Sequence, residues 1–180
     1  MDVVPFGGIQ DQDGQIAWPP DQAFVMSVVG FDEASKSTLR FVLPDGTQFD
    51  VVSLEGLGML KLIAWNERPH ARARDAVDLC IILVNYHTVA GETLYTEHDD
   101  LLDDAFDYQI AGARIYGRMI APLLAPNDQL RGALVSVLQE QTGDAGHSPL
   151  ALAMGSECCG EYERRFQLLC ALLRGIEDRL

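Results

Sequence analysis

Residues 53–79, SLEGLGMLKLIAWNERPHARARDAVDL, decide the reading of this chain. Ser53 can cap a helix, because its side-chain oxygen can take one of the amides left free in the first turn. From Leu54 to about Arg68 the apolar residues recur at helical spacing. Pro69 stops the run, since proline has no amide to donate and its ring clashes with the preceding turn. A second helix is expected from about Arg72 to Tyr86. The centre of the chain is therefore a helix pair joined by a short elbow.

Upstream of this pair the sequence has strand character. Asp2-Val3-Val4-Pro5-Phe6 is short and β-branched and ends at Gly7-Gly8. Gln15 to Trp18 suggests a second short strand. Asp11-Gln12-Asp13-Gly14 before it reads as a turn; it has a calcium-loop spelling, but no glutamate closes the loop at the required distance. Phe31 to Ser37 suggests a short helix. Leu39–Leu43 and Gln48–Val52 flank Pro44-Asp45-Gly46-Thr47, and Asp-Gly between two β-rich runs is a strong hairpin signal.

Downstream everything reads as helix, near 92–105, 107–124, 127–141 and 157–179. In the last of these, Phe166, Leu169, Cys170 and Leu173 fall at steps of three and four and mark a buried face. Gly143 to Pro149 looks like a mobile connection. The expected class is α+β: a small mixed or antiparallel sheet followed by a C-terminal helical bundle. The expected division is 1–90 for the α/β part and 91–180 for the helical part.

The 180 residues include 13 basic and 27 acidic side chains, a formal net charge of −14. Nonspecific duplex binding needs a basic face, and this balance argues against one. Hydrophobic residues make up 48% and charged residues 22%, a mixture that can bury a core without staples. The apolar runs are too short and too interrupted to span a bilayer, and no signal peptide is evident. Cys80 and Cys170 sit in apolar runs and read as core thiols, Cys158 and Cys159 are adjacent, and no zinc-type spacing appears. A reducing, cytoplasmic compartment is the expectation.

Three groups of residues could carry chemistry. Asp2 opens a strand; it is either an edge carboxylate facing water or a functional acid. Lys61 and Arg68 are seven residues apart, so they share one helical stripe about 10 Å long. Lys61 lies among Leu57, Leu60, Leu62, Ile63 and Ala64. It either snorkels along core surface or points a cation at phosphate oxygens. Asp75 and Asp78 share a helical face, and Arg74 can pair with Asp78 at i,i+4. The two acids could instead neutralise Lys61 or Arg68 across the helix pair. Glu97, Asp99, Asp100, Asp103, Asp104 and Asp107 form a further acidic run, either a solvated helix face or a surface for a basic partner. No GxSxG motif is present, and His70, His87, His98 and His147 have no evident nucleophile.

Together, Asp2-Val3-Val4-Pro5-Phe6-Gly7-Gly8-Ile9, Ser53 to Trp65, Arg68 and Arg74 to Leu79 resemble two motifs of bacterial predicted nucleotidyltransferases related to the AbiEii-type toxins. The resemblance covers about residues 1–88. It implies a partial nucleotidyltransferase fold followed by helices. It also implies transfer of a nucleoside monophosphate from a nucleoside triphosphate to a tRNA, other RNA or protein acceptor, in a toxin–antitoxin setting. By the same resemblance Asp2 is the third metal carboxylate, with Mg²⁺ as cofactor. Lys61 and Arg68 then bind the triphosphate, and Asp75, Asp78 and Arg74 support the site. In that family a Gly-Ser motif and a DxD pair precede the third-acid strand, and here the chain begins one residue before that acid. The expectation is therefore either a piece of a longer reading frame or a catalytically inactive relative that acts as a protein-interaction or nucleotide-binding module. Missing front strands would leave an open sheet edge, so a homodimer is a further expectation.

Overall fold

The computed structural model describes residues 4–18, 20–155 and 160–180. Its first elements are two antiparallel ribbons. β1 (Gln15–Ala17) pairs with β2 (Val25–Ser27), and after α1 (Phe31–Ser35), β3 (Thr38–Val42) pairs with β4 (Gln48–Val52). The two ribbons do not join, so the expected small sheet is divided into two-stranded pieces. The β3–β4 hairpin turns where Asp-Gly predicts it. Gly46 has φ +85°, a conformation that favours glycine, and the Asp45 carboxylate accepts from the Thr47 amide at 2.9 Å.

The strand expected at Asp2–Phe6 is not formed where it can be followed. Asp2 and Val3 lie outside the described residues, and Val4–Phe6 are irregular. The chain turns at once at Gly7, whose φ is +83° and whose carbonyl accepts from Gln10. The Phe6 ring meets Phe31 edge-on instead of entering a sheet.

Helices follow. α2 (Leu54–Glu67) is capped by Ser53, whose hydroxyl accepts from the Gly56 amide at 3.2 Å. α3 (Ala73–Ala90) runs four residues past the expected end at Tyr86. The helix expected near 92–105 is reduced to α4 (Thr93–Thr96) and a 3₁₀ turn at Asp99–Leu101, because His98 and Leu101 turn inward and are buried. α5 (Tyr108–Leu124) starts at Asp107, whose carboxylate caps the Gln109 and Ile110 amides. α6 (Asp128–Thr142) and α7 (Pro149–Ala153) precede α8 (Tyr162–Glu177). The connection from Gly143, expected to be loose, is tied at its far end. Ser148 is fully buried, its amide donates to the Tyr162 hydroxyl, and the Leu150 amide donates to Gln141.

The core centres on α5. Its small residues Ala111, Gly112, Ala113 and Gly117 are buried and let other helices come close. A Cβ on Gly117 would lie 2.2 Å from the Leu172 carbonyl oxygen, and one on Gly175 would lie 1.9 Å from the Arg114 carbonyl oxygen. The backbones of α5 and α8 are therefore in contact, and no side chain fits between them. On another side, Tyr116 of α5 reaches over Gly58 of α2 and donates to the Leu54 carbonyl at 2.6 Å. Around this axis one apolar cluster runs from Ala34 through Met59, Leu83 and Leu138 to Ile176. Cys80 is buried in this core and is disulfide-bonded, not the free thiol expected, while Cys170 is free. The thiols therefore give no support to a reducing compartment. Among the described residues no helix is long and apolar enough to cross a membrane.

Candidate functional site

The helix pair brings Lys61, Arg68, Asp75 and Asp78 together at its elbow. Pro69 ends α2, and the chain from Arg68 to Arg72 folds into a tight turn in which the Ala71 and Arg72 amides both donate to the Arg68 carbonyl at 3.0 Å. That turn sets the last part of α2 against the first turns of α3. Lys61 leaves α2 on the side facing α3, and its ammonium donates to Asp75 Oδ1 at 2.7 Å and to Asp78 Oδ2 at 2.6 Å. The two acids are three residues apart on α3 and so present their carboxylates on one face.

The geometry matches the alternative given for Asp75 and Asp78, neutralisation of Lys61 across the helix pair, and neither of the two readings given for Lys61 itself. A buried ammonium is costly without a partner, and Lys61 has two. Burial works to lower its pKa, but the bonds from Asp75 and Asp78 outweigh that and raise it above the ordinary lysine value. Arg74 does not pair with Asp78 as expected. It is exposed and has no ion pair among the described residues, because Asp78 is turned to Lys61. Asp75, nearly buried, is instead approached by Arg72 Nη1 at 3.6 Å.

Lys61 and Arg68, predicted to act together, do border one cavity of about 210 Å³. Arg72 and the carboxylates of Glu67 and Asp75 share its polar side, and Phe31, Leu60 and Ile63 supply apolar wall. Arg68 is exposed and makes no ion pair among the described residues. The elbow therefore presents two guanidinium groups and one ammonium that keeps a single N–H free of the two acids. Such groups recognise phosphate or carboxylate oxygens. Asp2, the other predicted site residue, lies outside the described residues.

The acids at the elbow do not fit a two-metal centre. Asp75 and Asp78 each have an oxygen engaged by Lys61, and among the described residues no three His, Cys, Asp or Glu side chains come together to hold a metal ion. A larger cavity of about 330 Å³ lies between the N-terminal loop and α6. Asp11, Asp13, Asp32 and Glu33 line it, so it would repel phosphates. Asp11 is occupied by its own turn, accepting from the Asp13 and Gln15 amides at 3.0 and 2.8 Å. That turn accounts for the calcium-loop spelling.

Two further polar clusters were not foreseen. Arg118, 7% exposed, donates to Asp100 at 2.8 and 2.6 Å and to Asp178 at 2.6 Å, and lies 3.3 Å from His98 Nδ1. Arg114 adds a two-pronged bond to Asp178 at 2.8 Å. This cluster ties the end of α8 to α5 and to the 3₁₀ turn. It also engages Asp100 of the acidic run; Asp107 of that run binds Arg164 apart from this cluster, at 2.5 Å. Burial, with Arg118 and Arg179 nearby, holds the His98 pKa below the usual histidine value. The second cluster is a hydrogen bond from the Tyr86 hydroxyl to Glu55, where burial and the carboxylate push the phenol well above its usual pKa. A cation within an apolar helical run was the available signal for Arg118, as it was for Lys61. Nothing local marks Asp178, sixty residues away, as its partner.

No protein-family model, curated protein or solved structure matches this chain.

Proposed function

We propose that the elbow between α2 and α3 is an anion-binding site, and that the chain is a nucleotidyltransferase-like module that holds the phosphate end of a nucleoside triphosphate there. The supporting observation is the meeting of Lys61, Arg68 and Arg72 on one cavity with an apolar wall. Arginine forks can grip phosphate oxygens through paired N–H groups. A space of about 210 Å³ suits a phosphorylated end and leaves the base outside, since pockets that engulf a whole ligand measure roughly 300–1,000 Å³. In this reading the chain binds and does not turn over. Asp75 and Asp78 position Lys61 and hold no metal.

A second reading is transfer of the nucleoside monophosphate to an RNA or protein acceptor with Mg²⁺. It is favoured by the resemblance of the Asp2–Ile9 and Ser53–Leu79 segments, and it requires Asp2 to act as a metal carboxylate together with acids from elsewhere.

Titration calorimetry with ATP, with and without Mg²⁺, tests the first reading. Binding is expected, weakened at least tenfold (about 1.4 kcal/mol) by Arg68→Ala with Arg72→Ala. Arg131→Ala serves as a control, because Arg131 sits on α6 paired with Asp128. Incubation with labelled nucleoside triphosphates and Mg²⁺ separates the readings: label transfer that is lost in Asp2→Ala would establish the second. Failure of ATP and of inorganic triphosphate to bind would remove the elbow site from both.

A further inference from the structure

Among the described residues, the β3–β4 hairpin carries an apolar face that no second layer covers. The register pairs Leu39 with Val51 and Phe41 with Phe49, and Leu43 continues the same alternation. These five side chains are between 40 and 56% exposed. The Phe41 and Phe49 rings lie nearly parallel, with centroids 5.9 Å apart. The charged pair of the ribbon, Arg40 and Asp50, belongs to the opposite face and closes on itself at 2.9 Å. The ribbon is anchored at its base, where Val52 packs against the core and Ser37 bonds to Ser53.

A two-stranded hairpin by itself is marginal in water, and it gains stability when a hydrophobic face is covered. We infer that this face is a self-association surface on which a second copy of the chain packs, face to face, about a two-fold axis.

Charge permits this occupant. A chain with net charge −14 repels its own copies over most of its surface. The Leu39–Phe41–Leu43–Phe49–Val51 face has no charged side chain, so two copies can meet there without bringing acids together. It likewise offers nothing to hold a strongly basic or acidic partner. Two such faces are self-complementary, as an isologous contact requires, and stacked ribbons would sit about 10 Å apart with their side chains interleaved.

Area sets the strength. The five side chains present roughly 400 Å², as large as the biggest apolar patch on many monomers. Two faces and their rims then bury about 1,000 Å², near the lower limit for a specific interface. The dimer is therefore dissociable, with a micromolar dissociation constant, and independent of any ligand at the α2–α3 elbow.

Sedimentation equilibrium from about 1 µM to 1 mM tests the inference on the whole chain. The weight-average mass should rise from monomer to dimer and stop there. Phe41→Asp should raise the dissociation constant at least tenfold. Val42→Asp, a change of the same kind at a more exposed position on the other face of the same strand, should leave it within about twofold. Retention of the hairpin in each variant is read from cross-strand proton contacts between residues 39 and 51. A wild-type chain that stays monomeric at the top concentration would overturn the proposal. So would equal weakening by the two variants, or a mass that keeps growing past the dimer, which would point to strand addition at the open edges.

Discussion

The helical body and the β3–β4 ribbon are both rich in apolar residues, yet they treat them oppositely. In the body, Leu83, Leu138, Leu150, Leu168 and Leu169 are fully buried, while in the ribbon Leu39, Phe41, Val42 and Leu43 face outward. The difference is one of layers. α5 has α2, α3 and α8 packed around it, so its main apolar stripe finds facing surfaces. A two-stranded ribbon has two faces and no second layer. Apolar content therefore reports the wish to be buried, and the neighbours decide whether it is met.

The contact between α5 and α8 should break the body most severely. Gly175→Leu would drive a side chain into the Arg114 carbonyl, and the helices would have to separate. A loss of more than about 4 kcal/mol is expected, enough to prevent folding. Circular dichroism and thermal melting would show it, and a melting point near that of the wild-type chain would mean the two backbones are not in contact.

A matched pair of truncations sharpens the comparison. Leu138→Ala removes a fully buried side chain and should cost about 2–5 kcal/mol in urea unfolding. Phe41→Ala on the ribbon should cost less than about 1 kcal/mol in dilute solution, where no second copy covers it. Equal costs would mean that the ribbon face is buried under those conditions.

Lys61→Met should destabilise by about 1–3 kcal/mol, because it leaves Asp75 nearly buried with only the more distant Arg72 for a partner. Adding Asp75→Leu and Asp78→Leu should restore part of the loss. A single variant as stable as the wild-type chain would show that the ion triad contributes little.

The smallest effect is a pH slope. The folded state holds the His98 pKa below its ordinary 6.5, so its neutral form is favoured on folding. Stability from this group is fully present above pH 6.5 and is lost as pH falls from there toward the lower folded value. The slope is at most about 1.4 kcal/mol per pH unit. Asp100 and Asp178 act further down. Their bonds to Arg118 and Arg114 lower their pKa values below 3.8, and stability from them is lost as pH falls through those depressed values. Comparing His98→Gln with the wild-type chain between pH 5 and 7.5 isolates the first step, and identical slopes would exclude it.

Local chemistry alone was enough to place Ser53 as a cap, Pro69 as a stop, the Asp45-Gly46 turn and the helices at α5, α6 and α8. Each depends on contacts within a few residues, and the sequence lists those neighbours directly. The same helical spacing puts Lys61 and Arg68 on one stripe, but Arg68 is the non-helical cap of α2, with φ −147°, and shares only a cavity with Lys61. Three-dimensional packing decided the rest. It closed both acids of α3 onto Lys61, left Arg74 without an ion pair among the described residues, gave buried Arg118 its partner in Asp178, and cleared glycine-sized gaps at Gly58, Gly117 and Gly175. It also left the β3–β4 ribbon without a covering layer among the described residues. Those outcomes join residues far apart in the chain, and their energies depend on distance and burial, which no one-dimensional pattern records.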